Sequence, residues 1–244
     1  MSGRGKPDDE YVDLISDDNR CAIALGTDGP SNAILRQNFK PGYTVADIVE
    51  VNRALANRGV EVANNYILIT PESDLLDVVE SFVMFLLLPI PWREYDQAIN
   101  LRVIKEETTL ATDEGVLFAP ADMGYDVPLR FPEVEAFLRR HGLTSGVPSD
   151  RVRPLLWRIL DEDPAVQRLL PLLIERWQQG YDDDPEVDAL AKLVIEARHG
   201  AESWPHALWL VHHRIESEAF VNGRTAATFR DLVEADQRRN QLFT

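Results

Sequence analysis

Cys21-Ala-Ile-Ala-Leu-Gly-Thr-Asp-Gly-Pro-Ser-Asn32 is the stretch on which the fold turns. Its first five residues are a short, continuous apolar run, the pattern of a strand buried on both faces of a parallel sheet. Gly26 to Asn32 then gathers turn formers. Downstream, Thr44-Val-Ala-Asp47 is a capping box with Asp in the place usual for Glu or Gln. Val45, Ile48, Val49, Asn52 and Leu55 mark one helical face behind it, and Gly59 stands where a left-handed C′ residue ends a helix. Val60 to Ile69 predicts a second strand. It closes at Thr70-Pro-Glu-Ser-Asp74, which opens a helix running through Leu88. Pro89 and Pro91 stop that helix, and Asp96 to Lys105 predicts a third strand.

Strand–helix–strand alternation with connections of this length implies right-handed crossovers and a parallel sheet. In such sheets chemistry collects at the carboxyl ends of the strands, where loops and helix N-termini converge. The residues at those ends are Thr27, Asp28, Ser31 and Asn32, then Thr70, Glu72 and Ser73, then Lys105, Glu106 and Glu107.

Leu25-Gly-Thr-Asp-Gly-Pro-Ser-Asn-Ala-Ile-Leu35 with Lys40-Pro-Gly-Tyr-Thr44 resembles the middle of a radical SAM enzyme barrel. There a strand ends in Gly-x-Glu-Ser and a Lys or Arg, a Gly and a Thr open the next helix. Asp28 replaces that Glu. Asn52 to Val60, Tyr66-Ile-Leu-Ile-Thr-Pro71 with Asp77, and Asn100-Leu-Arg-Val-Ile104 with Thr108-Thr109 continue the resemblance, which covers roughly residues 8–118. It implies the C-terminal half of a parallel β/α barrel. It also implies S-adenosylmethionine as cofactor, with Asp28 and Lys40 reaching its ribose or carboxylate and Thr27, Ser31, Thr70 and Glu72 completing the contact set. The family's CxxxCxxC is absent, and Ile69 stands where a glycine often ends the second strand. Cys21 is the only cysteine, and a [4Fe–4S] cluster needs several thiolates. The cluster is therefore not from this chain alone, and a cluster-bearing radical SAM chain is the implied partner, with a homo-oligomer as the other arrangement. No catalytic residue is assigned.

Composition narrows the classes. A formal net charge of −16 over 244 residues argues against unaided nucleic-acid binding, which needs clustered Lys and Arg. A lone cysteine fits a reducing compartment. The first ten residues lack the apolar core of a signal peptide, and the longest apolar run, Phe82 to Ile90, is too short to span a bilayer. The expectation is a soluble, cytoplasmic protein.

Three regions follow: a partial radical SAM-like β/α domain over 1–122, a Pro- and Gly-punctuated connector over 123–150 with a short helix from Glu133 to His141, and a helical domain over 151–244. Helices are expected at Arg151–Leu160, Pro164–Gln179, Pro185–Arg198, Pro205–Val221 and Thr225–Asn240. Asp163-Pro164 and Asp184-Pro185 read as N-cap and N1 pairs, and Gly180, Gly200 and Gly223 as stops. The fold class is α/β: a partial parallel β/α barrel followed by an all-helical C-terminal domain.

Plainer roles compete with the sharper ones. Asp28 can cap its turn, and Glu72 and Ser73 can satisfy free N–H groups at a helix start. Cys21 in an apolar strand reads as a buried, inert thiol. His212 and Glu216, at i and i+4, fall short of the three or four ligands of a zinc site, so no metal is expected. Trp157, Trp177, Trp204 and Trp209 read as core between helices. Two other functions stay open: a non-catalytic helical interaction protein, and an independent small α/β enzyme using Asp28, Lys40 and Glu72.

Overall fold

The computed structural model describes residues 22–38, 42–89, 102–103, 120–121, 124–126, 129–143, 149–180, 183–218, 220–221, 224–225 and 227–242. Strand β1 (Ala22–Gly26) leads into a short helix α1 (Asn32–Gln37) and then α2 (Val45–Asn57). The expected capping box is present: Thr44 Oγ1 accepts from the Asp47 N–H, and Asp47 returns a bond to the Thr44 N–H. Gly59, at φ 79°, occupies the left-handed position just past the helix, where a Cβ would carry a conformational penalty. Strand β2 (Glu61–Asn65) then lies parallel to β1 in the register Ala22↔Glu61 to Gly26↔Asn65.

The half barrel is not formed. Among the described residues the parallel sheet consists of β1 and β2 alone. β2 ends at Asn65, so Tyr66 to Thr70 leave the sheet that the apolar run predicted. Of the expected third strand, the described part is β3 (Arg102–Val103), and it pairs antiparallel with β5 (Gly124–Asp126), which also pairs with β4 (Pro120–Ala121) in a separate small sheet. The physical reason lies in helix α3 (Leu75–Leu87). Every residue from Asp77 to Leu87 in it is buried. A helix apolar all round must be surrounded on all sides, and its neighbours are helices.

Those neighbours are α4 (Pro132–Arg140), α5 (Ser149–Glu162), α6 (Pro164–Gln178) and α8 (Trp204–Glu218), with α1 on the β side; α7 (Pro185–Gly200) packs on α6 and α8. One hydrophobic cluster runs from Leu35 and Val45 through Phe82, Phe137, Leu156 and Trp177 to Leu232. Burying each large aliphatic or aromatic side chain of α3 contributes about 1.5–3 kcal/mol, which makes this helix the axis of the molecule. A smaller cluster of Leu55, Val60 and Val62, with Ile23 and Leu25 against it, backs the parallel pair.

The helical half follows its caps. Asp163 and Asp184 are N-caps with Pro at N1, each accepting two backbone N–H groups, and Gly180 at φ 65° follows α6. It is not uninterrupted helix. A short antiparallel pair, β6 (Phe220–Val221) with β7 (Arg224–Thr225), separates α8 from α9 (Phe229–Leu242). No helix among the described residues is long and apolar enough to cross a membrane. Cys21, Lys40, Lys105, Glu106, Glu107 and Gly223 lie outside the described residues.

Candidate functional site

Polar side chains gather at the carboxyl end of the β1–β2 pair. Thr27, next after β1, is 1 % exposed. Asp28 follows at φ 59°, a left-handed conformation that Asp and Asn tolerate better than most residues. The Asn38 side-chain amide donates to the Asp28 carbonyl at 2.5 Å and ties the turn to the far end of α1. Gly29 is needed for close approach: a Cβ there would come within 2.6 Å of the Ile34 side chain. Ser31 is the N-cap of α1, its Oγ accepting from the Ile34 N–H at 3.4 Å.

The other edge of the region is Thr70. Its Oγ1 donates to Gln37 Oε1 and lies 2.9 Å from Ser73 Oγ, which also donates to Gln37 Oε1, at 3.0 Å. Gln37 Nε2 donates to Asp77 Oδ2 at 2.8 Å. Asp77 Oδ1 accepts from Arg176 at 3.0 Å, and the same guanidinium lies 3.6 Å from Glu80 Oε2. Trp177 Nε1 closes the chain by donating to Glu80 Oε1 at 2.9 Å. A continuous polar relay thus runs from the exit of β2, across the end of α1, through α3 and into α6. Two buried carboxylates share one nearly buried guanidinium, the pairing such burial requires.

Burial, then the carboxylates of Asp47 and Asp28, push the Tyr43 phenol up to about 12. Burial also drives Tyr66 well above its ordinary value, against the nearby charge of Arg153. The Tyr66 ring meets Phe85 edge-on at 5.7 Å, and its hydroxyl is buried without a hydrogen-bond partner among the described residues.

The sequence-derived set is therefore only partly brought together. Thr27, Asp28 and Ser31 cluster ahead of α1, while Thr70 contacts α1 at its other end through Gln37. Glu72 turns away and pairs with Arg130 at 2.6 Å. Lys40 lies outside the described residues. The relay members Gln37, Asp77, Glu80 and Arg176 were not anticipated. A signal for them exists: Asp77 and Glu80 are acidic residues one turn apart in an otherwise apolar helix, and buried acids need a cation.

Chemically, the relay is a set of committed donors and acceptors. The Thr70 and Ser73 hydroxyls point their protons at a neutral amide oxygen rather than at a base, so neither is an activated nucleophile. Among the described residues no group of three His, Cys, Asp or Glu side chains is placed to hold a metal ion. An iron–sulfur cluster does not fit a chain with a single cysteine. Comparison with protein-family models, curated proteins and solved structures gives no match to this chain.

Proposed function

We propose that this chain is the ligand-contacting partner in a radical SAM-like system whose cluster sits on a second chain. It would offer S-adenosylmethionine, or the substrate, hydrogen-bonding groups from the carboxyl end of the β1–β2 pair. The observation that supports this reading is Asp28, held in a left-handed turn directly after a parallel strand, in the place where the resembling sequences carry their Glu. A carboxylate there accepts two hydroxyls of a ribose, and the neighbouring carboxylate of Asp47 favours a ligand bearing positive charge, such as a sulfonium. The test is calorimetric titration of the full chain with S-adenosylmethionine. Binding in the range of about 10–1,000 μM is expected, lost in Asp28→Ala with the far-ultraviolet circular dichroism unchanged. No heat up to millimolar ligand overturns the reading.

A second reading, a non-catalytic interaction protein, is favoured by Trp209. It was expected in the core but is 48 % exposed on α8, stacked on His213 at 5.2 Å, and Leu172 on α6 is 50 % exposed. Tryptophan is among the residues enriched at binding hot spots. Sedimentation equilibrium decides for a second copy of the chain as the partner: self-association weakened by Trp209→Ala supports it, and a monomer at every concentration removes it.

A further inference from the structure

His141 stands where the end of α4 meets the start of α6, outside the polar relay. It follows the last residue of α4, and its N–H donates to the Phe137 carbonyl. Its Nε2 lies 2.8 Å from Asp163 Oδ2, and the Arg140 guanidinium reaches the same oxygen at 3.1 Å. Asp163 Oδ1 is committed to α6, accepting the Ala165 N–H at 2.7 Å and the Val166 N–H at 3.3 Å. The carboxylate side chain is 4 % exposed and the imidazole 16 %. The second ring nitrogen, Nδ1, makes no hydrogen bond among the described residues and is not sealed from solvent.

Asp163 decides which ring nitrogen carries the proton. Burial favours the protonated carboxyl, but the His141 bond, the two backbone N–H groups and Arg140 outweigh it and keep the group ionised. An ionised carboxylate only accepts. In the neutral ring Nε2 is therefore the N–H, and Nδ1 holds a free lone pair. Positive charge that develops on the ring when Nδ1 forms a bond falls beside Asp163, as it does wherever a carboxylate backs a reactive histidine. Arg140 adds a cation at the same place and favours an anionic reactant. Its guanidinium lies over the Phe137 ring at 5.7 Å, and the same ring packs against His141 with centroids 4.8 Å apart. One aromatic side chain thus supports both the cation and the imidazole.

We propose that His141 is a phosphoryl-accepting histidine, with Nδ1 as the nucleophile, Asp163 as its positioning residue and an acyl phosphate as the donor class. The Nδ1 lone pair forms the new N–P bond, the P–O bond to the acyl group breaks, and a carboxylate leaves with the bonding pair. No proton has to leave the ring, because the Nε2–H stays on Asp163. A carboxylate leaving group also needs no general acid, so the pair suffices for the chemistry. Arg140 offsets the charge of the incoming phosphoryl oxygens.

The test is incubation of the full chain with acetyl phosphate, followed by peptide mass mapping at alkaline pH, where phosphohistidine survives. Of the five histidines, His141 is expected to carry the label, in an acid-labile form, and His141→Gln to lose it. Should His141→Gln not fold, Asp163→Asn serves. Its Oδ1 still caps α6 while an amide N–H now faces Nε2, which forces the proton onto Nδ1 and removes the lone pair. Labelling is expected to fall by at least about tenfold in that variant. Nitrogen-15 magnetic resonance of the ring reads the tautomer directly: Nε2–H in wild type and Nδ1–H in Asp163→Asn, a reversal that loss of a merely structural contact does not produce. Label absent from His141, or no greater there than on the other histidines, overturns the proposal. So does a wild-type ring in the Nδ1–H form, or an undiminished labelling rate in Asp163→Asn.

Discussion

The Asn32 side-chain amide donates to Asp184 Oδ2 at 3.1 Å, joining the start of α1 to the N-cap of α7 across 152 positions of sequence. The same Asp184 oxygen accepts from the Ala46 N–H at 3.0 Å, while Oδ1 accepts from the Glu186 and Val187 N–H groups. One carboxylate, 2 % exposed, thus caps α7 and meets a free N–H in the first turn of α2. Asn32 Oδ1 accepts the next one, from Val45, at 2.8 Å. Two helix N-termini face one anion, the arrangement their dipoles favour. The turn that carries Asp28 and Ser31 is held to the helical half by this contact.

Asp184→Ala therefore removes more than a cap. It takes away the α7 cap, worth about 1 kcal/mol, and leaves the Ala46 N–H and the Asn32 amide without their acceptor, at about 1–3 kcal/mol for each group that stays buried and unpaired. A loss of roughly 3 kcal/mol or more is expected in urea unfolding, with Asp184→Asn falling between wild type and Ala because Asn still caps. A loss under about 1 kcal/mol in the Ala variant would show that the bond between the two halves contributes nothing beyond the cap.

Arg176 is the cation of the buried relay, 15 % exposed beside Asp77 at 11 % and Glu80 at 2 %. Arg176→Met fills a similar volume but leaves Asp77 and Glu80 with neutral donors and without their cation. Removing one partner from such a group costs about 3–5 kcal/mol at neutral pH. Urea midpoints of both proteins at neutral pH check this; a loss under about 1 kcal/mol would show that the guanidinium is not what keeps the two carboxylates in place.

Local chemistry was legible in the sequence, and pairings were not. The Thr44–Asp47 box, the Asp163-Pro164 and Asp184-Pro185 starts, and the stops at Gly59 and Gly180 each depend on residues within one turn of each other, and each is where local preference places it. Which strand joins which depends on partners far along the chain. Val103 pairs with Tyr125 rather than extending the β1–β2 sheet, and no periodicity around Val103 encodes that choice. The decisive clue to architecture was present but open to two readings: a run from Val78 to Leu88 with almost no polar face belongs in an interior, and either strands or helices could supply its surroundings. The site divides in the same way. Ser31 at a helix start follows from its position, whereas the bond of Asn32 to Asp184 and that of Trp177 to Glu80 exist only once α3, α6 and α7 are assembled. Trp209 fails as a core residue because its neighbours on the outer face of α8 are His206 and His213, which leave it beside solvent.

Asp163 makes acid stability a local question. Burial raises the affinity of its carboxyl for a proton. The His141 ring at 2.8 Å, the Ala165 and Val166 N–H groups and the Arg140 guanidinium outweigh burial and hold the group below its ordinary value. A depressed folded-state value means that the unfolded chain binds the proton more tightly. The stabilisation is present above the ordinary carboxylate value and is lost as pH falls through the lower, folded one. Thermal midpoints of Asp163→Asn are thus expected below those of wild type at neutral pH, with the gap narrowing below about pH 4. A gap that stays constant down to the acid transition contradicts this assignment.

Pro171 stands inside α6, eight residues into a helix that begins at Pro164 and ends at Gln178. An interior proline removes one helical hydrogen bond and crowds the carbonyl four residues earlier, here that of Gln167, at a cost near 3 kcal/mol in a helix free to straighten. Pro171 and Gln167 are both exposed, so water reaches the freed carbonyl and recovers part of that cost. Proline also restricts the unfolded chain, a stabilisation of about 0.4–1 kcal/mol that a substitution gives up. The balance favours alanine: Pro171→Ala is expected to raise stability by about 1–2 kcal/mol, read as a higher urea midpoint with an unchanged slope. A lower midpoint would mean that the restriction proline places on the unfolded chain outweighs the helical hydrogen bond it removes.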